Sequence, residues 1–167
     1  MKKIILTILL FSFIIPISAQ SRAEKKKIKE EKAAEEYAYL KDFIKSNKFN
    51  FEAEWATTNK GRRINLTGNA NYLKIDNIDA DIYLPFFGTA HSGGVGFGGN
   101  GGIEFKGAIE NYSVKFNDKK RLVTIKFSAK EKSENFDFTL TLYGNKNANL
   151  TVSSNSRSNM SYSGNYK

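Results

Sequence analysis

The chain contains no cysteine, one histidine (His91), one tryptophan (Trp55) and two prolines (Pro16 and Pro85) in 167 residues. The missing cysteines exclude disulfides, thiolate catalysis, cysteine-ligated zinc or iron–sulfur sites and a lipidated cysteine behind an export signal. A single histidine leaves a histidine-dependent triad or a histidine-rich metal site short of parts. Long hydrophobic runs are also scarce. Only Ile4–Ile17 is nearly all apolar, and it falls short of the roughly 20 residues that a membrane-spanning helix needs.

That apolar run follows Met1-Lys2-Lys3 and ends at Ser18-Ala19. A basic start, a short apolar centre and a small-residue exit predict an export signal over residues 1–19, cleaved after Ala19. With no cysteine to lipidate, the expected product is periplasmic or secreted, without a stable membrane anchor. The formal net charge is +9. It falls to about +7 once Lys2 and Lys3 are removed, which bears on solubility and non-specific anion contact. The lysines are dispersed rather than interleaved with aromatics in one patch, which argues against nucleic acid as a partner.

Residues 20–47 read as a charged helical segment. Gln20–Lys32 is almost entirely charged, and Ala33, Tyr37, Leu40 and Ile44 then recur at helical spacing with Phe43 beside them. A helix from about Glu24 to Lys45 is predicted, docked by its second half and closed by a left-handed asparagine near Asn47.

From Lys48 the period becomes two. Phe49, Phe51, Ala53 and Trp55 alternate with polar residues and predict a strand with one buried face. Shorter strands are expected at Ile64–Thr67, Tyr72–Ile75 and Ile78–Leu84, the last ended by Pro85. Beyond residue 103 alternation is sustained, with apolar positions at 112–116, 123–129, 136–142, 148–152 and 160–162. The connections between them are short, so this half is an antiparallel meander of about five strands. The fold class is therefore mainly β, with eight to ten antiparallel strands over residues 48–167. They close into a small barrel or a strongly curved sheet, behind one N-terminal α-helix. Bulky inward aromatics favour a filled interior over a roomy one.

Between the two halves lies Ile82–Phe105, where an aromatic and proline corner opens into a glycine-rich run. Gly94, Gly96 and Gly99 match the spacing G-x-G-x-x-G, but a strand rather than a helix follows, and no Lys-Ser or Lys-Thr completes a phosphate loop. The run reads either as a pliable connection or as a lid, with Phe86, Phe87 and Phe97 as apolar contacts and His91 as a polar one. These four are the candidate ligand-binding residues. Asp76, Asp79 and Asp81 lack the glycine and bidentate glutamate of a calcium loop and read as turn and strand-end residues. Glu52, Glu54, Glu104 and Glu110 carry no spacing that specifies a glycosidase pair. No catalytic residue, metal or cofactor is assigned, and an enzyme is not expected.

YLPFFG (Tyr83–Gly88), FNFEA (Phe49–Ala53), INLT (Ile64–Thr67), GGIEF (Gly101–Phe105), IENYSV (Ile109–Val114), FTLTLY (Phe138–Tyr143), ANLTVSS (Ala148–Ser154) and SYSG (Ser161–Gly164) occur in this order. The set resembles the family known as domain of unknown function 4251. The resemblance implies an exported envelope protein of a Gram-negative bacterium with one β-rich domain, lipocalin-like topology being one form of it; it implies no activity. Many members are lipoproteins, from which this chain departs. The expected function is a structural or protein-interaction module of the envelope. The alternatives are a carrier of a small apolar ligand under the glycine-rich lid and an outer-membrane β-barrel.

Overall fold

The computed structural model describes residues 22–90 and 101–167. Helix α1 spans Arg22–Ile44 and is followed by ten strands. They are β1 (Lys48–Thr58), β2 (Arg63–Asn65), β3 (Tyr72–Asp76), β4 (Asp79–Leu84), β5 (Ile103–Ala108), β6 (Glu110–Asn117), β7 (Leu122–Glu131), β8 (Glu134–Tyr143), β9 (Asn147–Ser154) and β10 (Met160–Tyr166). Residues 1–32 and 33–167 form two compact units. The described part of the first, 22–32, is exposed helix laced by the pairs Lys26–Glu30 and Lys27–Glu31, each at 3.9 Å. Exposed i,i+4 pairs of this kind add only tenths of a kcal/mol.

In the second unit every strand pair is antiparallel, in the order β5-β4-β3-β1-β10-β9-β8-β7-β6, with β2 added on β1. The expected five-strand meander is β6 to β10. The sheet curls into a nearly closed barrel whose two edges, β5 and β6, are consecutive in the chain yet unpaired with each other. The chain turns the corner between them at buried Ile109, whose amide bonds the carbonyl of Ile78 at 2.8 Å. Along the open seam Phe116 of β6 is exposed, although it pairs with fully buried Val123 and was expected to face the core. No strand lies beyond it to cover the ring.

The interior is filled. Phe51, Phe127, Phe136, Phe138 and Tyr162 are almost completely buried, and Phe127 and Phe138 stack at 4.7 Å across β7 and β8. Burial of each such ring contributes about 2–3 kcal/mol, which suffices to hold a small barrel without disulfides.

One end of the barrel is closed by the second half of α1, where Tyr37, Leu40 and Ile44 are buried. Ser46 and left-handed Asn47 (φ 50°) turn the chain into β1 as expected. Gly144 lets the β8–β9 turn meet the helix, since a Cβ there would lie 2.8 Å from the Glu36 carbonyl carbon. Phe43 packs on Tyr166 at 5.4 Å, and the Tyr166 hydroxyl donates to the Tyr143 carbonyl at 2.8 Å.

Burial, with smaller contributions from Tyr39 and Glu36, pushes the Tyr166 phenol up to about 12, and burial also raises that of Tyr162. A phenol whose folded pKa exceeds its unfolded value of 10.0 leaves stability intact below that value and drains it as pH rises towards the folded one. The urea midpoint is thus expected to hold steady to about pH 10 and to fall towards pH 12. Phenolate absorbance should appear together with unfolding. Ionisation of every tyrosine in a still-folded protein would refute this.

The first strand departs from simple alternation. A bulge between Ala53 and Trp55 shifts the register against β10, so Ala56 takes the inward position and Trp55 faces outward, contrary to the sequence expectation. Bulges turn side chains to the other face in this way. Buried Asn71 supplies what the ladder lacks there, accepting from the Ala53 amide at 2.7 Å and donating to its carbonyl at 2.9 Å. The second strand is also shorter than predicted: β2 ends at Asn65, and Leu66 is buried just beyond it with its amide on the Glu54 carbonyl.

Candidate functional site

Two places combine aromatic and polar side chains. The first is the barrel end opposite the helix, where the glycine-rich connection leaves β4 and enters β5. Phe86 is half-buried against the core and Phe87 is exposed. His91 and Phe97, the other two candidate residues, lie outside the described residues.

This end is organised by Arg157, which lies in the connection between β9 and β10. Its Nε donates to both Glu134 oxygens, at 2.9 and 3.1 Å, and the two side chains are only 10% and 9% exposed. Its Nη1 donates to the carbonyls of Gly102 at 2.9 Å and Gly101 at 3.3 Å. The guanidinium also lies 5.2 Å from the Phe86 ring centre and 5.8 Å from that of Phe136. Ser154 donates a further hydrogen bond to Glu134. The backbone at Ala90 forms a bridge to Arg157, and Thr89 exchanges bonds with Ser158 through Thr89 N to Ser158 Oγ and Ser158 N to Thr89 O, both 2.9 Å. Tyr162 holds the Pro85 carbonyl at 2.8 Å. Both flanks of segment 91–100 are thus fixed to the same short β9–β10 connection. A buried pair with its remaining groups bonded is costly to assemble but well suited to fix one geometry.

The second place is on the outside. The bulge that turns Trp55 outward also opens a groove of about 370 Å³ whose lining includes Trp55, Arg63, Tyr143, Asn145, Asn149 and Gly164. The Arg63 guanidinium sits 4.1 Å over the Trp55 ring centre, a contact that holds this half-buried, outward-facing ring in one orientation. Asn149 Nδ2 donates to the Tyr143 hydroxyl at 3.4 Å, and Asn165 Nδ2 donates to Glu54 at 2.7 Å. A second hollow, of about 380 Å³, adjoins it across Glu54 and Asn165 and runs between Leu66–Gly68 and the C-terminal residues. The sequence does hold a signal for this groove: adjacent apolar residues at Trp55 and Ala56 break the alternation of β1, as a bulge requires.

Two of the three aspartates raised as a calcium loop are paired with lysines instead. Asp76 pairs with Lys48 at 3.0 Å and Asp81 with Lys106 at 3.7 Å, across neighbouring strands.

Among solved structures, the chain is similar to a crystal structure of a DUF4251 family protein from Bacteroides eggerthii DSM 20697. Identity is 23% and the TM-score 0.58, over 80% of this chain and 88% of that one. At this identity the likeness speaks for the fold alone. No curated protein matches the chain. Residues 31–166 match the family described as Domain of unknown function (DUF4251). The match takes in the second half of α1 and all ten strands, and the chain belongs to this family.

Proposed function

We propose that this protein is a non-catalytic structural or interaction module of the bacterial envelope, exported behind residues 1–19, which meets its partner with the outside of the barrel. The observation that carries this reading is the filling of the interior by the chain's own rings, Phe51, Phe127, Phe136, Phe138 and Tyr162, while an aromatic and amide-lined groove stands open on the outer wall. Apart from Trp55, the outward strand positions are mostly polar or charged, as Lys74, Glu104 and Lys126 illustrate. This supports a water-facing barrel over one embedded in the outer membrane, whose outward band must be apolar.

Cell fractionation and cross-linking in the native host test the reading. The expected result is mature protein in the soluble envelope fraction with a reproducible cross-linked partner. Carbonate-resistant membrane association would instead favour the outer-membrane barrel. A small apolar molecule released on denaturation in native mass spectrometry would favour the carrier.

A further inference from the structure

We infer that the outer groove beside Trp55 is a binding site for a neutral saccharide chain. The inference rests on the reading of the domain as a non-catalytic binding module and names the class of its partner.

The argument begins with where the charges are not. In a chain with 26 lysines and arginines, the outward positions of β9 and β10 carry no charge: Asn147, Asn149, Thr151 and Ser153 on β9, and Ser161, Ser163 and Asn165 on β10. The neighbouring end of β8 continues the pattern with Thr139 and Thr141, which pair with Thr151 and Asn149. The other walls are charged, with Lys74, Asp81 and Lys106 on the β3–β5 side and Lys115, Lys126 and Lys130 on the β6–β7 side. Hydroxyls and amides are therefore gathered on one wall.

Trp55 stands at the margin of this wall because of the bulge, directly across from Ser163. Ser163 in turn pairs with Asn149, so one row runs from an indole through a hydroxyl to an amide. A sugar ring needs this combination. Its C–H face packs on an aromatic plane, and its hydroxyls, each donor and acceptor, pair with side chains of the same dual capacity. The Asn147 side-chain amide has no protein partner among the described residues, and Asn149 is already oriented by its contact with Tyr143. The second hollow beyond Glu54 and Asn165 lengthens the trough, which suits a chain rather than a single sugar.

Other partners fit this wall less well. A nucleic-acid strand calls for cations along its path, and among the residues lining the groove Arg63 is the one cation, set against the Glu54 carboxylate. A lipid surface calls for an apolar face. A tight protein interface is centred on buried aromatic or arginine anchors with a hydrophobic core, whereas here Trp55 and Arg63 stand at the margin and hydroxyls and amides make up the outward face of β9 and β10.

Trp55 is the sole tryptophan, so intrinsic fluorescence reads the site directly. The protein purified from its host envelope should be titrated with cellohexaose, maltohexaose, a xylan fragment and an oligogalacturonide, each to about 10 mM to reach weak binding. A saturable change in emission is expected with at least one neutral oligomer. It should weaken about tenfold in Asn149→Ala, the scale of one lost hydrogen bond, and disappear in the Asn147→Ala/Asn149→Ala variant. Both positions are exposed and carry no ladder role for their side chains, so folding should be spared. Phe87→Ala, at the barrel end, should bind as the wild type does.

The assignment is overturned if no oligomer changes the emission, if only the oligogalacturonide does, or if the asparagine variants respond like wild type. Cleavage of a bound oligomer would keep the site and remove the non-catalytic reading. A cross-linked protein partner with no saccharide response would keep the module and remove the site.

Discussion

Replacing Arg157 with methionine is expected to lower stability by about 3–5 kcal/mol, the usual consequence of leaving one member of a buried ion pair without its partner. Glu134, 9% exposed, would keep only Ser154 and would be left as a buried carboxylate without its counter-ion. The same change removes both donors to the Gly101 and Gly102 carbonyls. Urea denaturation measures the loss, and the variant Arg157→Met/Glu134→Leu separates its two causes. Taking away both charges together should restore most of the stability, since a buried pair often does no better than apolar groups of like volume. The flanks of the glycine-rich connection should stay loosened, with the Ser158 amide, bonded to Thr89 O, exchanging faster in both variants. A loss below about 1 kcal/mol in the single variant would mean that the pair is solvated in the manner of a surface contact.

Substituting Gly164 by valine is expected to cost about 3 kcal/mol, at the upper end for overpacking. Gly164 faces Ala53 across the β1–β10 pair, beside the bulge. A Cβ at this position would run into the Glu52 carbonyl oxygen and come within 2.7 Å of the Ala53 Cα. Both obstacles are backbone of β1, which pairs with β2, β3 and β10, so neither can swing aside as a flexible side chain would. Thermal unfolding compared with Ser163→Ala, where a change within about 0.5 kcal/mol is expected of a surface position, isolates the effect. A Gly164→Val variant as stable as wild type would show that the strands can separate at the bulge without loss.

How much of this could be read from the residues differs between the barrel and its sites. Period-two alternation from Tyr112 to Tyr162 placed the meander, and the Tyr37, Leu40, Ile44 spacing placed the docked half of the helix, because burial on one face leaves its period in the sequence. Glu134 and Arg157 were passed over. They sit 23 residues apart at the edges of short connections, where charge ordinarily means solvent, and only their meeting in space makes them buried. Trp55 was assigned to the wrong face because a single bulge inverts everything after it. The outer groove depends on that inversion and on three strands lying side by side, which no local pattern encodes.

The order of the strands sets a condition on when this domain can exist. β1, among the first elements to be made, has β10 as a neighbour, and the pairing runs to the last residue, where Lys167 and Asn50 exchange backbone bonds at 2.8 and 2.9 Å. A chain of this kind remains an open sheet with an exposed centre until β10 has been made. The β1–β10 pairing is made across most of the domain's sequence, and contacts of that separation slow folding. A polypeptide emerging in one direction therefore cannot close its barrel early, and it stays threadable until β10 is there to pair with β1.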